Sequence, residues 1–275
     1  MGSERSVTPV DAVTVALLRE APGDPFGAGP EVLLLERHAN SSFMPGALVF
    51  PGGKIDPPDA ELDPSRWTCS DLAAWVEMLG VPDERAAVAL LVAAVRETFE
   101  ESGVLLARRA NGQQVSGSPL DTDLAAHVRK AMCARDRITD WRPWLEEEGL
   151  VLDFDAMTMW SWWLTPADRP QRFDTRFLVA TLPPGQEARH DGVELVSSTW
   201  LRPVEALRRH EAGEFDLRFP TRCTLEQINE HPSAAAAVTA ARQGRTDRNR
   251  FEAPVVTVDG QRLARYPDGR GFGHV

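Results

Sequence analysis

Ala93-Ala94-Val95-Arg96-Glu97-Thr98-Phe99-Glu100-Glu101-Ser102-Gly103-Val104 closes a long apolar run with a cluster of carboxylates. Upstream, Val88, Leu91, Val92, Val95 and Phe99 recur at helical spacing. Asp83 is suited to cap the start of a helix and Gly103 to follow its end, so the spacing predicts one helix over 84–102. Glu97, Glu100 and Glu101 then fall at i, i+3 and i+4, on one helix face.

Taken as structure alone, this is an unfavourable arrangement. Like charges at i,i+4 cost about 0.2–0.5 kcal/mol per pair. Carboxylates in the last turns also oppose a helix dipole that favours cations there by about 0.3–1 kcal/mol. Arg96 offers one compensating charge. The bland reading is a solvated acidic helix end; the other is a face that holds a hard divalent cation, which takes carboxylate oxygens and bridges to phosphate.

The rest of the 275-residue chain narrows the class. A formal charge of −11 argues against a nucleic-acid backbone as partner, but not against a small phosphorylated substrate held through metal. Cys69, Cys133 and Cys223 form no C-x-x-C pair, which suits a reducing cytoplasm. The six histidines show no metal-ligand spacing. No signal peptide is evident ahead of the short apolar run 13–18, and no apolar stretch approaches the roughly 20 residues that span a bilayer. The expectation is a cytoplasmic protein without a membrane partner.

Along the chain, strands are expected at 11–18 and 31–36, with a Gly/Pro loop between them. A short strand then closes in the turn Phe50-Pro51-Gly52-Gly53, whose glycines allow close backbone approach to a ligand. Residues 57–82 read as an irregular insert with one helix over 71–79 capped by Ser70. Further strands are expected from Val104, over 172–182 and over 194–201, and helices over 120–134, 203–210, 221–230 and 233–242. Asp259-Gly260 between 255–258 and 261–265 is the strongest hairpin signal. Five of the eight tryptophans lie within 141–165, a pattern of core or interface packing. In 172–177, Arg172, Asp174 and Arg176 alternate with Phe173, Thr175 and Phe177, as in a half-buried strand whose charged face is solvated or offers two arginines to a phosphate.

Gly53, followed after an insertion by Arg96-Glu97-x-x-Glu100-Glu101-x-Gly103-Val104, resembles the Nudix box, G-x5-E-x7-R-E-U-x-E-E-x-G-U. Arg96 follows Gly53 by 43 positions where the pattern has 14, an insertion of 29 residues. Counted back from Arg96, the first Glu of the box falls on Val88, and Thr98 stands where an aliphatic residue is usual. Leu33-Leu34-Leu35-x-Arg37, Phe43-Met44-Pro45-Gly46, Trp163-Leu164-Thr165-Pro166, Arg172-Phe173-Asp174-Thr175 and Trp200-x-x-Pro203-x-Glu205-Ala206-Leu207 extend the likeness to the Nudix subfamily that contains the animal peroxisomal CoA diphosphatases. In the general CoA-type signature His38 stands for Ser/Ala and Ser42 for a second Arg.

The resemblance implies a Nudix-type α/β/α sandwich with a mixed β-sheet between helices. It implies one domain over 1–275, with the insertion at about 57–82 and a helical and hairpin extension over 221–275. It implies hydrolysis of a nucleoside diphosphate linked to another moiety, with CoA or acyl-CoA as substrate. ADP-ribose or NADH pyrophosphatase activity, or a non-catalytic nucleotide-binding module, are the alternatives. Mg²⁺ or Mn²⁺ would sit on Glu97, Glu100 and Glu101, with Glu100 or Glu101 as general base and Arg96 positioning a ligand. Arg37, Phe50, Gly52, Gly53, Arg172 and Arg176 would meet the substrate, Glu194 is a further acidic candidate, and a homodimer is compatible. Arg96 needs a partner in place of Val88: Asp56 by preference, with Asp59, Asp83 and Glu84 the other acids of the flanking segments, or else carbonyls of the Pro-Gly-Gly turn.

Overall fold

The strand Val10–Glu20 (β1) alternates between two apolar faces, and both are covered. Val13, Val15 and Leu17 point to one side and Ala16 and Leu18 to the other, as expected of a strand inside a layered α/β structure. In the computed structural model, which describes residues 7–21, 29–38, 45–115, 117, 122–134 and 139–274, this strand is central to a nine-stranded mixed sheet.

The elements that follow are β2 (Pro30–Arg37), β3 (Ala47–Val49), β4 (Gly52–Lys54), β5 (Trp67–Thr68), α1 (Leu72–Leu79), α2 (Glu84–Ser102), β6 (Ala107–Arg109) and α3 (Asp123–Met132). Next come α4 (Arg142–Glu147), β7 (Leu150–Asp153), β8 (Met157–Leu164), β9 (Phe173–Thr181), β10 (Leu195–Leu201), α5 (Pro203–Glu211), β11 (Asp216–Leu217), α6 (Phe219–Ile228) and α7 (Ala234–Arg242). The chain closes with β12 (Arg250–Glu252), β13 (Val255–Val258), β14 (Gln261–Arg265) and β15 (Phe272–His274).

The sheet runs β11-β3-β2-β1-β9-β8-β12, with β10 on β2 and β4 on β1. β1 and β9 are parallel over nine pairs from Val10↔Phe173 to Leu18↔Thr181, while β8 lies antiparallel to β9. On one face α2 packs through Leu91, Val95 and Phe99; on the other, α6 and α7 pack through Leu225, Ile228, Ala237 and Val238. This is the expected α/β/α sandwich. Trp141 and Trp144 stack on Phe99, at 6.3 and 5.0 Å between ring centroids, so the tryptophan-rich segment serves the core as its composition suggests.

Residues 57–82 are ordered and dock on this frame. Two short 3₁₀ turns lead into β5, which pairs with β7, and then α1 packs Trp75 and Leu79 against α2. The cap of α1 is Asp71, whose Oδ1 accepts from Ala74 N, and not Ser70, whose N and Oγ both donate to Asp155. The α1 helix ends at Gly80 with φ +63, and a Cβ there would lie 2.3 Å from the Trp162 ring, so only glycine allows that close docking.

Two further expectations change. The strand expected from Val104 begins at Ala107; residues 104–106 are buried, and Leu105 exchanges both backbone hydrogen bonds with the Gln186 amide (2.9 and 3.0 Å) instead of with a strand. The charged face of β9 is buried, not solvated, because α1 and β12 cover it.

Candidate active site

The helix α2 matches the expected span, with Asp83 Oδ1 accepting from Ala86 N at 2.8 Å and Gly103 in the left-handed region at its end. Thr98, unusual at its position, is buried and satisfied by donating to Ala94 O at 2.7 Å. The carboxylate face looks onto the turn 50–54. That turn is fixed to β1 by Thr14 Oγ1 and Val15 N, donating to Pro51 O at 2.7 and 2.8 Å. Gly52 N donates to Glu101 Oε2 at 2.9 Å. A Cβ on Gly53 would fall 2.3 Å from Glu97 Oε1, and one on Gly52 would fall 2.4 Å from Val13 O. Gly52 is therefore required by close approach of the β1 backbone, whereas a Cβ on Gly53 would push the end of the Glu97 side chain aside.

Arg96 is buried, and its partner is Asp59. Arg96 Nε and Nη2 donate to Asp59 Oδ1 and Oδ2 at 2.9 and 3.0 Å, and Nη2 also donates to Lys54 O at 2.9 Å. Asp56, the preferred partner on sequence grounds, reaches only 3.8 Å, while its backbone N–H donates to Asp59 Oδ2. The one carbonyl that Arg96 bonds here belongs to Lys54, the residue after the Pro-Gly-Gly turn, and not to the turn itself. The preference for Asp56 is thus corrected, and the cause is one of counting. Forward from Gly53, G-x5-E places the first acid of the box on Asp59, so the insertion lies between that acid and Arg96; counting back from Arg96 crosses the insertion and lands on Val88, which is buried in the apolar core. Burial pushes the Asp59 carboxyl up while Arg96 holds it down, and the bidentate geometry is that of an ion pair.

The remaining Arg96 nitrogen faces the acidic patch. Nη1 donates to Glu97 Oε1 at 2.9 Å and lies 3.5 Å from Glu100 Oε2. Glu101 is almost wholly buried. Burial and then the neighbouring Glu97 push Glu100 up to about 8, with Arg96 opposing, and the same two causes raise Glu101 well above its ordinary value. Burial likewise raises Glu97, against the pull of Arg96. Glu194 stands across the cleft paired with Arg37, and both act on the field at Glu101. Asp191 ties down the same segment, its Oδ1 accepting from Val193 N, Glu194 N and Leu195 N.

The donor set fits a divalent cation. Several carboxylates are held close together, partly buried, with one guanidinium among them, and their mutual repulsion is what a cation relieves. Among the described residues no three acidic, His or Cys side chains converge in ligating geometry, because Glu97 turns onto Arg96 and Glu101 onto Gly52 N–H.

Three candidates lie elsewhere. Phe50 is buried in the core on the far face, edge-on to Phe177. Arg172 bonds Thr165 O, Val7 O and Glu252. Arg176 bonds Leu79 O and Asp11 and stacks on Trp162. These side chains are committed to packing, so the expectation that they meet the substrate is not supported by their placement. Ser42, Phe43 and Met44 lie outside the described residues.

A family model for the NUDT19 Nudix domain matches residues 76–227, more than half of the chain. The chain belongs to this Nudix family. Among its relatives, the acyl-coenzyme A diphosphatase NUDT19 of Gallus gallus is 30% identical over 253 residues, covering 76% of this chain and 65% of the relative. The protein of the same description from Homo sapiens is 32% identical over 211 residues, covering 66% and 56%. This chain spans between about half and two thirds of the length of these relatives. Among solved structures, a Nudix hydrolase from Alicyclobacillus acidocaldarius superposes with a TM-score of 0.67 at 29% identity, covering 84% of this Nudix chain and 96% of the other. Nudix hydrolases use divalent metal ions, in keeping with the acidic face. Among the described residues no helix of this Nudix protein is long and apolar enough to cross a membrane.

Proposed function

We propose that the protein hydrolyses a nucleoside diphosphate linked to another moiety, with CoA or acyl-CoA as the substrate and Mg²⁺ or Mn²⁺ as the metal. The observation that carries this reading is the Glu97–Glu100–Glu101 face set against Gly52 and Gly53, with Arg96 anchored by Asp59. The acyl-coenzyme A diphosphatase relatives favour CoA among such substrates.

A divalent cation supplies neutralisation of phosphate charge and a more acidic water. Glu97, Glu100 and Glu101 would hold it. In the hydrolysis a water oxygen bonds to phosphorus, the bridging P–O bond breaks, and two phosphomonoesters leave. Glu100 or Glu101 takes the proton of the attacking water. Arg96 has its Nε and Nη2 fully engaged with Asp59 and Lys54, so it orients Glu97 and Glu100 and does not touch phosphate. Arg37 is the arginine at the cleft that a phosphate or ribose would meet, by taking it from Glu194.

ADP-ribose or NADH is the second reading, favoured by Ser42 at the place of the second Arg of the CoA-type signature. Incubation with CoA, acetyl-CoA, ADP-ribose and NADH in Mn²⁺, with product analysis, separates the two. Turnover of none of them would refute the reading and favour a non-catalytic module. The three free thiols suit a reducing compartment, and the cytoplasm is the one proposed. Residues 57–82, apart from the box acid Asp59, and 221–275 are proposed as elaborations of a single domain that shape the pocket or a homodimer contact; light scattering of the intact and variant proteins tests the dimer.

A further inference from the structure

We propose that Arg129 is a positioning residue for this site: reaching from α3, its guanidinium locks the last turn of α2 to the 187–195 segment and so fixes where Glu100 and Glu101 stand toward a divalent cation. The inference rests on the metal-dependent reading above.

The α2 helix must satisfy four terminal carbonyls. Gly103 N donates to Phe99 O at 2.8 Å, the ordinary closure of such an end. The next carbonyls are met from outside the helix. Arg129 Nε donates to Phe99 O and Glu100 O at 3.0 and 2.9 Å, and Nη2 donates to Glu101 O at 3.0 Å. Arg189 N donates to Ser102 O at 2.7 Å, and Arg129 Nη2 donates back to Arg189 O. Cys133, one turn further along α3, approaches Glu100 O at 3.5 Å.

Each of these contacts is to a main-chain oxygen. Arg129 is 8% exposed and, among the described residues, no carboxylate lies within ion-pair distance of it, while Asp191 and Glu100 act on it from further off. A buried guanidinium without a counter-ion is costly, and here it is placed under the negative end of a helix that also carries three glutamates. The planar five-donor fork is suited to reach carbonyls of two separate segments at once, which a single ammonium does less well. One segment carries Glu100 and Glu101. The other carries Asp191, whose carboxylate caps three N–H groups, and Glu194, which faces Arg37. The two walls of the acidic cleft are thus joined through one side chain that does not enter it. Supports of metal ligands at one remove commonly change affinity about 10–100-fold when lost.

The test compares Arg129→Met and Arg129→Lys with the wild type and with Lys130→Ala, an exposed neighbour on the same helix. Mn²⁺ affinity is read by electron paramagnetic resonance without substrate, kcat and KM with CoA at saturating Mn²⁺, and stability by urea unfolding in EDTA. Arg129→Met is expected to weaken Mn²⁺ binding about tenfold or more and to lower kcat with little change in KM. Arg129→Lys should fall between, and Lys130→Ala should match the wild type. A folded Arg129→Met with wild-type Mn²⁺ affinity overturns the proposal, even if its unfolding midpoint falls, since that is a purely structural role. Should Arg129→Met not fold, unchanged Mn²⁺ affinity in Arg129→Lys overturns it. A wild type that binds Mn²⁺ but hydrolyses no substrate refutes the substrate reading and leaves this one decided by the affinities. A wild type that binds no Mn²⁺ refutes both.

Discussion

Replacing Asp59 removes the bidentate partner of a buried guanidinium, and the structure sets the size of the effect. Breaking a buried ion pair by deleting one member costs about 3–5 kcal/mol. Arg96 keeps Lys54 O and Glu97 Oε1 at 2.9 Å each, so Asp59→Ala belongs at the low end, about 3 kcal/mol. At about 2–4 °C per kcal/mol for a chain of this size class, the melting temperature should fall by about 6–12 °C. Asp59→Asn keeps the shape and one acceptor, loses a charge-assisted bond, and should cost about 2 kcal/mol. Asp56→Ala is the control: at 3.8 Å and one-third exposed, its ion pair is worth about 0–1 kcal/mol. Urea unfolding followed by both fluorescence and circular dichroism measures all three. If Asp56→Ala cost more than Asp59→Ala, or Asp59→Ala cost under 1 kcal/mol, the assignment of Asp59 as the box acid would be refuted.

Glu100→Gln and Glu101→Gln should each lower kcat about 100-fold or more, while raising stability in EDTA by relieving repulsion; wild-type turnover in either would remove it from the chemistry. Gly53→Ala places a Cβ 2.3 Å from Glu97 Oε1 and should displace that carboxylate, weakening Mn²⁺ binding measured by titration. Without metal, Glu100 titrates near 8 in the folded protein against an ordinary value of 4.5, so the folded state binds the proton more tightly. That contribution is full below about 4.5 and is lost as pH rises through about 8. The unfolding midpoint in EDTA should therefore fall between pH 5 and 9 more steeply in the wild type than in Glu100→Gln, and equal slopes would contradict the assignment.

What was legible in the sequence was what local chemistry controls. The span of α2 follows from its caps, Asp83 and Gly103, and the β13–β14 hairpin follows from Asp259-Gly260, with Asp259 at φ 50 and Gly260 at φ 78. What was not legible depends on segments far apart in the chain. Leu105 reads as a strand residue, yet a single Gln186 amide takes the place of the neighbouring strand. Arg172 and Arg176 read as a polar face, but Leu79 from the insert and Arg250 near the end of the chain close over that face. Asp59 was within reach by counting forward from Gly53. Arg129 carried no signal, because one arginine on an amphipathic helix looks like any other.

The charge conflict at the end of α2 is resolved from two sides by different means. On the cleft side, Arg96 takes the pull of Glu97 and Glu100 and is itself held back by Asp59, so it cannot swing out to neutralise the face completely. On the far side, Arg129 offsets the helix end through its carbonyls, without approaching a carboxylate within salt-bridge distance among the described residues. Both arrangements stabilise the helix while leaving the outward carboxylate oxygens short of donors. Burial first, and then this unmet negative charge, keeps Glu100 and Glu101 raised. The same Asp59–Arg96 pair accommodates the 29-residue insertion inside the box: the insertion enters after Asp59 and leaves before Arg96, so the ion pair that shapes the face closes across it, and loop-closure cost grows only slowly with length.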